Sequence, residues 1–265
     1  MMKRILYISF TMVLFVGTIV LLAFTDAEHT TKNYKSFRVD ILNPSDEALI
    51  TLEDIHSIIE RHFGTIEGSP VLGVDLLKLE TTVLANPYVA KCEVFQTIDG
   101  GLVMKTVVRE PLVRIINEDG AQYYLDFNGY AMPLNQAKPS HVLIANGNIK
   151  ERYFSPEKSE QSLTAFPDSS VLQQIYPVAW HISQDEFLKS FIDQIYVNEK
   201  NELELMPKIG YQVILFGSAE DAKEKLENLK TFYQKVMNQM DWHVYKSINL
   251  KYKNQVVCSK YLNYE

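Results

Sequence analysis

Hydrophobic and polar positions change rhythm several times along this 265-residue chain, and each change predicts an element. The first is the plainest: residues 5–24 run for 20 positions without a charge or a proline. At ~1.5 Å rise per residue such a helix spans ~30 Å, the thickness of a hydrocarbon core. Lys3 and Arg4 precede the run and Asp26 and Glu28 follow it. The positive-inside rule therefore places residues 1–4 in the cytoplasm and residues 25–265 outside. A cleaved signal peptide is the other reading of such a run. Signal cores, however, span about 7–15 apolar residues before a small-x-small site, and Ala23-Phe24-Thr25 and Thr25-Asp26-Ala27 are poor ones. Residues 25–35 are polar and aperiodic, the pattern of a linker.

Alternation begins at Phe37, where Phe37, Val39 and Ile41 are interleaved with Arg38 and Asp40, a half-buried strand that ends at Asn43-Pro44. Thr51, with Asp54 three residues on, is a capping pair. It opens a helix to about His62, with Leu52, Ile55, Ile58 and Ile59 on one face and Gly64 at its end. A second helix starts at Asp75, carries Leu76, Leu77, Leu79, Val83 and Leu84, and must stop before Asn86-Pro87, because proline disfavours helical backbone in the residue before it. Strands at 89–96 and 102–108 flank Asp99-Gly100-Gly101, a hairpin turn whose residues tolerate positive φ. The order strand, helix, helix, strand, strand makes a small domain over residues 36–110, two helices covering one face of a three-stranded sheet.

Past Arg109-Glu110-Pro111 the pattern turns to strands: 112–116, 122–126 and 130–134, joined at Asn117–Gly120 and Asn128-Gly129, then 141–145. Residues 150–180 carry little pattern beyond a helix around 170–176. Ser183 with Glu186 reads as a capping box for a helix to about Ile192. Strands at 194–197, 203–205 and 211–216 follow. Ser218-Ala219-Glu220-Asp221 then caps the longest helix, to about Met240, with Ala222, Leu226, Leu229, Phe232, Tyr233, Val236, Met237 and Met240 as its apolar stripe. The final strand is expected over 247–257, where Ile248, Leu250 and Tyr252 alternate with Asn249, Lys251 and Lys253. The fold class is α+β, with residues 111–257 a β-rich domain that has a long late helix and a C-terminal edge strand, and 258–265 a tail.

Composition narrows the function more than it names one. The chain is 46% hydrophobic and 22% charged, a globular balance. Its formal charge of −7 excludes a general nucleic-acid binder, which needs excess Lys and Arg facing phosphate. Cys92 and Cys258 are too few for a disulfide framework and read as reduced, buried thiols. The histidines (His29, His56, His62, His141, His181 and His243) contain no i,i+4 pair for a metal, and no phosphate-binding or dinucleotide-binding glycine motif is present. Gly217-Ser218 lacks the second glycine of a nucleophile elbow. Asp126 reads as a turn residue. No catalytic constellation, metal, cofactor or small-molecule substrate is indicated.

Several segments, in order, carry a resemblance. Val74-Asp75-Leu76 and Ala85-Asn86-Pro87-Tyr88-Val89, the junction Arg109-Glu110-Pro111-Leu112-Val113-Arg114, the hairpin Tyr124-Leu125-Asp126-Phe127-Asn128-Gly129, the late helix Lys225-Leu226…Leu229…Tyr233, and Ile248-Asn249-Leu250-Lys251-Tyr252 resemble the FtsQ/DivIB cell-division family. The chain departs from the family's pattern at Asn249 and Lys251, where Asp and Arg are frequent, and in its tail of about four residues. The resemblance implies an inner-membrane, single-pass protein at the division septum, with an extracytoplasmic POTRA domain followed by the β-domain. It implies a non-enzymatic divisome scaffold that holds FtsB and FtsL and, through them, septal peptidoglycan synthases. It places the partner on Tyr233, Ile248, Asn249, Leu250, Lys251, Tyr252 and Lys253, an edge strand that a second strand can extend. Arg109, Pro111 and Arg114 are expected at the domain junction. Two other readings of the chain are a POTRA-type chaperone or component of outer-membrane protein assembly or secretion, and a secreted cell-wall hydrolase.

Overall fold

The computed structural model describes residues 10–20, 32–153, 162–236 and 244–261. Residues 10–20 are helical, and their apolar side chains, among them Phe10, Met12, Val13, Leu14, Phe15 and Ile19, are exposed. No helix among the described residues is long and apolar enough to cross a membrane. The expected membrane helix over 5–24 therefore lies partly outside the described residues, as do the tail 1–4 and most of the linker. The chain divides into two compact units: the first holds Met1–Pro44 and Ile50–Val108, the second Ser45–Leu49 and Arg109–Glu265.

In the first unit, β1 (Phe37–Ile41), β2 (Val89–Gln96) and β3 (Leu102–Val108) form a sheet in the order β1-β3-β2, with β1 parallel and β2 antiparallel to β3. Helix α1 (Leu52–Phe63) starts in a complete capping box: Asp54 N–H donates to the Thr51 hydroxyl while Asp54 carboxylate accepts from Thr51 N–H. It ends at Gly64, whose φ of 69° suits a residue without Cβ. Helix α2 (Leu76–Leu84) is capped by Asp75, whose side chain accepts from Lys78 N–H. Ile55, Ile59, Leu79 and Val83 turn inward, whereas Leu52, Leu77 and Leu84 stay exposed. Residues 32–35 belong to this unit rather than to a linker: Tyr34 is buried and exchanges backbone hydrogen bonds with Gly68 and Ser69.

The second unit is built on a nine-stranded sheet in the order β12-β11-β10-β9-β8-β7-β4-β5-β6. Its strands are β4 (Pro111–Ile116), β5 (Gln122–Asp126), β6 (Ala131–Pro133), β7 (Leu143–Gly147), β8 (Ile192–Val197), β9 (Leu203–Pro207), β10 (Val213–Gly217), β11 (Tyr245–Asn249) and β12 (Val257–Lys260). The central run β4-β7-β8 is parallel, as is β10-β11. Helices α3 (Leu172–Ser183), α4 (Glu186–Phe191) and α5 (Ala222–Lys235) pack on this sheet. Leu172, Ile175, Ile182, Leu188, Leu226 and Leu229 share one core with Val113, Ile115, Ile195, Ile214 and Ile248.

Four expectations need correction here. Helix α3 runs through Pro177 to Ser183 instead of stopping near 176, because Val178, Ala179 and Ile182 bury its last turns. Ser183 therefore closes α3, and α4 is capped by Asp185, whose carboxylate accepts from Leu188 N–H. Ser218 does not cap α5: Asp221 holds the N-cap position at φ 53°, and Ser218 contributes its carbonyl to Lys225 Nζ at 2.9 Å. Residues 247–257 are not one strand. β11 ends at Asn249, the chain turns through Asn254 at φ 58°, and β12 returns antiparallel beside β11. The edge of the sheet is thus β12, whose residues 258–260 fall in the expected tail, while β11 is an interior strand. Met237 and Met240 lie outside the described residues.

Candidate partner-binding edge

The residues expected to meet a partner separate into two groups. Tyr233, Ile248 and Leu250 are 1%, 0% and 2% exposed, so their side chains form core. Leu250 also donates its N–H to Leu215 carbonyl across β10, which continues the β11 pairing one residue further. Asn249 is half-buried, and its side-chain oxygen accepts from Lys251 N–H, which starts the turn. Lys251, Tyr252 and Lys253 lie in that turn and are exposed, Tyr252 to 56%. Lys251 Nζ sits 2.9 Å from Glu202, and its ammonium holds the Glu202 carboxyl below the ordinary carboxylate range.

Beyond the turn, β12 pairs through Val257, Cys258, Ser259 and Lys260 with β11 on one side. Among the described residues no strand pairs with its other side. A strand in that position presents backbone N–H and C=O groups to solvent, and an extended peptide can satisfy them. The opposite end of the sheet also has no further strand among the described residues, but there β6 has only three residues and ends on Pro133, and Tyr130 beside it bridges to Ser162. The sequence held a signal for the β11–β12 turn, since Lys253-Asn254-Gln255 is a polar run in which Asn tolerates left-handed backbone. The apolar alternation through Tyr252 masked it.

The expected junction residues take specific places within the second unit. Arg109, 5% exposed, donates to Asp126 at 2.9 Å, and Asp126 is wholly buried. The guanidinium also lies 4.3 Å from the Tyr130 ring centre. The second carboxylate oxygen of Asp126 accepts from the Asn128 and Tyr130 N–H groups. Asp126 therefore shapes its turn, as expected, and in addition neutralises a buried arginine, which spacing alone does not reveal. Pro111 opens β4, where it forgoes one ladder donor. Arg114 holds the Gln122 side-chain oxygen across the β4–β5 pair through Nε at 3.0 Å.

A cleft of about 560 Å³ in the second unit is lined in part by Glu47, Glu110, Arg114, His141, Lys189 and Lys208. Within it Ser140, His141 and Glu47 bring together the residue types of a hydrolase, a grouping the sequence reading missed because Glu47 stands some ninety positions from the others. The order of contacts is not that of a nucleophilic triad. Ser140 Oγ donates straight to the Glu47 carboxylate at 2.5 Å, and His141 adds its backbone N–H at 2.9 Å. The serine proton is thereby held by an acid rather than by an imidazole base. These bonds, Ser140 first, hold the Glu47 carboxyl below its ordinary range. Cys92 and Cys258 are both free thiols, one in each unit. Among the described residues no cluster of three His, Cys, Asp or Glu side chains is placed to hold a metal ion.

Comparison with known proteins follows the same division. The family model described as FtsQ/DivIB, C-terminal related, matches residues 110–259, more than half of the chain. A POTRA-like domain matches residues 34–106, which, apart from the segment 45–49, lie in the first unit. The Cell division protein FtsQ of Geotalea daltonii is 25% identical over 201 residues, covering 74% of this chain and 68% of that protein.

Proposed function

The chain belongs to the FtsQ/DivIB family, and from that membership we propose that it is a non-enzymatic cell-division scaffold, anchored in the inner membrane by residues 5–24, that binds FtsB-type and FtsL-type partners outside the cytoplasm. The observation that carries the binding role is the open edge of β12. A partner strand laid along it forms main-chain hydrogen bonds with no cofactor and no ATP, which suits an extracytoplasmic assembly step. Tyr252 in the adjoining turn offers apolar area to the incoming segment. Lys253, with Lys251 beside it, favours acidic side chains there. The septal synthases would be reached through those partners, not by direct contact.

The anchor is supported by the uninterrupted apolar run and by the exposed apolar side chains of residues 10–20, among them Phe10, Val13, Leu14 and Phe15. The basic Lys3 and Arg4 ahead of it fit a cytoplasmic N-terminus.

Co-purification of the full chain from detergent-solubilised membranes with tagged FtsB and FtsL tests the edge. Wild type is expected to capture both. A variant ending at Val256, which removes β12, is expected to lose capture, and Tyr252→Ala to weaken it while the near-ultraviolet circular dichroism stays unchanged. Equal capture by all three would remove β12 as the site and leave family membership intact.

A further inference from the structure

We propose that the first unit rests on the lipid surface next to the anchor, through Leu72, Leu77 and Ile98 together with Lys32 and Lys35. This rests on residues 5–24 being the membrane anchor.

The placement follows from how the chain comes into the unit. Residues 32–36 run between two loops and are hydrogen-bonded to both. On one side Val71 N–H donates to the Lys32 carbonyl at 2.9 Å, Tyr34 N–H to Ser69, and Asn33 bridges to Pro70. On the other, Lys35 N–H donates to the Gly100 carbonyl at 3.0 Å, and Leu102 N–H to Ser36. The 3-10 turn Val71–Gly73 and the β2–β3 hairpin tip are thereby fixed beside the point where the chain arrives. Their attachment points, Lys32 and Lys35, are three residues apart, about 10 Å in extended chain. Helix α2 starts at the same end, because it runs down and β2 runs back up through the Asn86-Pro87 turn, with Val94 N–H bonded to Glu80.

Each of these three structures carries an exposed apolar side chain. Leu72 in the turn is 72% exposed, Leu77 in the first turn of α2 is 69% exposed, and Ile98 at the hairpin tip is fully exposed. The interior of the unit does not use them. Single exposed leucines are ordinary on a protein surface, but three gathered at one end around the incoming strand are not scattered. Lys32 and Lys35 flank them and are exposed. Of the acids at this end, Asp75 is taken up as the N-cap of α2, Asp99 is held by the Thr97 hydroxyl and faces Lys35, and Glu67 is exposed.

Tether length selects the bilayer as the occupant. Between the end of the apolar run at Phe24 and Lys32 lie residues 25–31, seven residues that reach at most ~25 Å. This end of the unit is therefore held near the membrane surface, on a tether short enough to let its apolar side chains touch the headgroup zone. Apolar side chains inserted at the headgroup boundary with lysines beside them are the chemistry of a peripheral contact.

Full-length variants Leu72→Cys and Ile98→Cys, in a Cys258→Ser background in which the remaining Cys92 is buried, would carry a fluorophore after reconstitution into phosphatidylcholine–phosphatidylglycerol vesicles. Ala85→Cys, exposed at the opposite end of the sheet, is the control. Integration is checked first by alkaline extraction. In integrated chains the labels at 72 and 98 are expected to be quenched by lipid-borne nitroxide about twofold more than by aqueous nitroxide, and the label at 85 the reverse. Labels at 72 and 98 that behave like the one at 85 would overturn the lipid contact while leaving the anchor. Labels shielded from both quenchers would overturn it in favour of a covering protein. A chain released by alkali would refute the anchor and this contact together.

Discussion

Asp126 spends both of its oxygens inside the second unit, one on the Asn128 and Tyr130 N–H groups and one on Arg109. Removing the arginine leaves a carboxylate with no solvent and no cation, held only by the Asn128 and Tyr130 N–H groups. Arg109→Ala is expected to cost about 3–5 kcal/mol, the usual penalty for stranding one member of a buried pair. Trp180 lies in α3 of the second unit, so urea unfolding in a Trp242→Phe background, followed by tryptophan fluorescence, reads that unit. Glu47 makes a pH-dependent contribution of opposite accessibility, half-buried and charged. Its folded-state carboxyl is held below the unfolded value, chiefly by the Ser140 hydroxyl. Its stabilisation is therefore present above the unfolded carboxylate value and is lost as pH falls through the lowered folded one. Between pH 6 and pH 3.5 the wild-type urea midpoint is expected to fall further than that of Glu47→Gln, which holds no titrating group at this position. Equal slopes would mean that the Ser140 bond does not favour the ionised form.

Elements whose pattern is local were legible before any coordinates. The capping box at Thr51, the Asp75 cap, the stop before Asn86-Pro87 and the Asp99-Gly100-Gly101 turn delimit α1, α2, β2 and β3, because each signal and its effect lie within four residues. The heptad-like choice among leucines was less legible. Leu77 and Leu79 look equivalent in sequence, yet Leu79 is wholly buried and Leu77 is 69% exposed. Leu79→Ala is accordingly expected to destabilise the first unit by about 2–5 kcal/mol, and Leu77→Ala by under ~0.5 kcal/mol. Cys92 provides the readout: it is buried in β2, and burial pushes its thiol pKa up to about 11. Labelling of Cys92 in the full chain should accelerate strongly in Leu79→Ala and stay at the wild-type rate in Leu77→Ala. The β12 edge escaped sequence reading for the converse reason. Its identity depends on a turn at Asn254 and on Leu250 bonding to Leu215, thirty-five positions away, while the alternating side chains run on past the turn.

At the scale of the whole molecule, the strand order was beyond the reach of periodicity. Parallel neighbours such as β4, β7 and β8 are joined by long excursions, and alternation says which face a residue takes without saying which strand lies beside it. Ser45–Leu49 likewise joins the second unit through bonds to Ser140, His141 and Asn135, none of which is local. The two ends of the nine-stranded sheet differ: β12 is a strand of four residues for which no closing bridge is found among the described residues, and in the proposed function it is presented by a chain tethered at residues 5–24. Under that proposal tethering would strengthen a strand–strand contact, since partners confined to the same membrane meet at high effective concentration. On that reading the proposed anchor would matter to assembly alongside the edge. Each arginine at the centre of a spanning helix costs about 2.5–3.5 kcal/mol on insertion scales, so Leu14→Arg combined with Val16→Arg is expected to shift the full chain from the alkali-resistant membrane fraction to the soluble one. Division should then fail although β12 is intact, and restoring membrane attachment through an unrelated transmembrane helix should restore division. Filamentous cells despite that restored attachment would mean that residues 5–24 do more than tether.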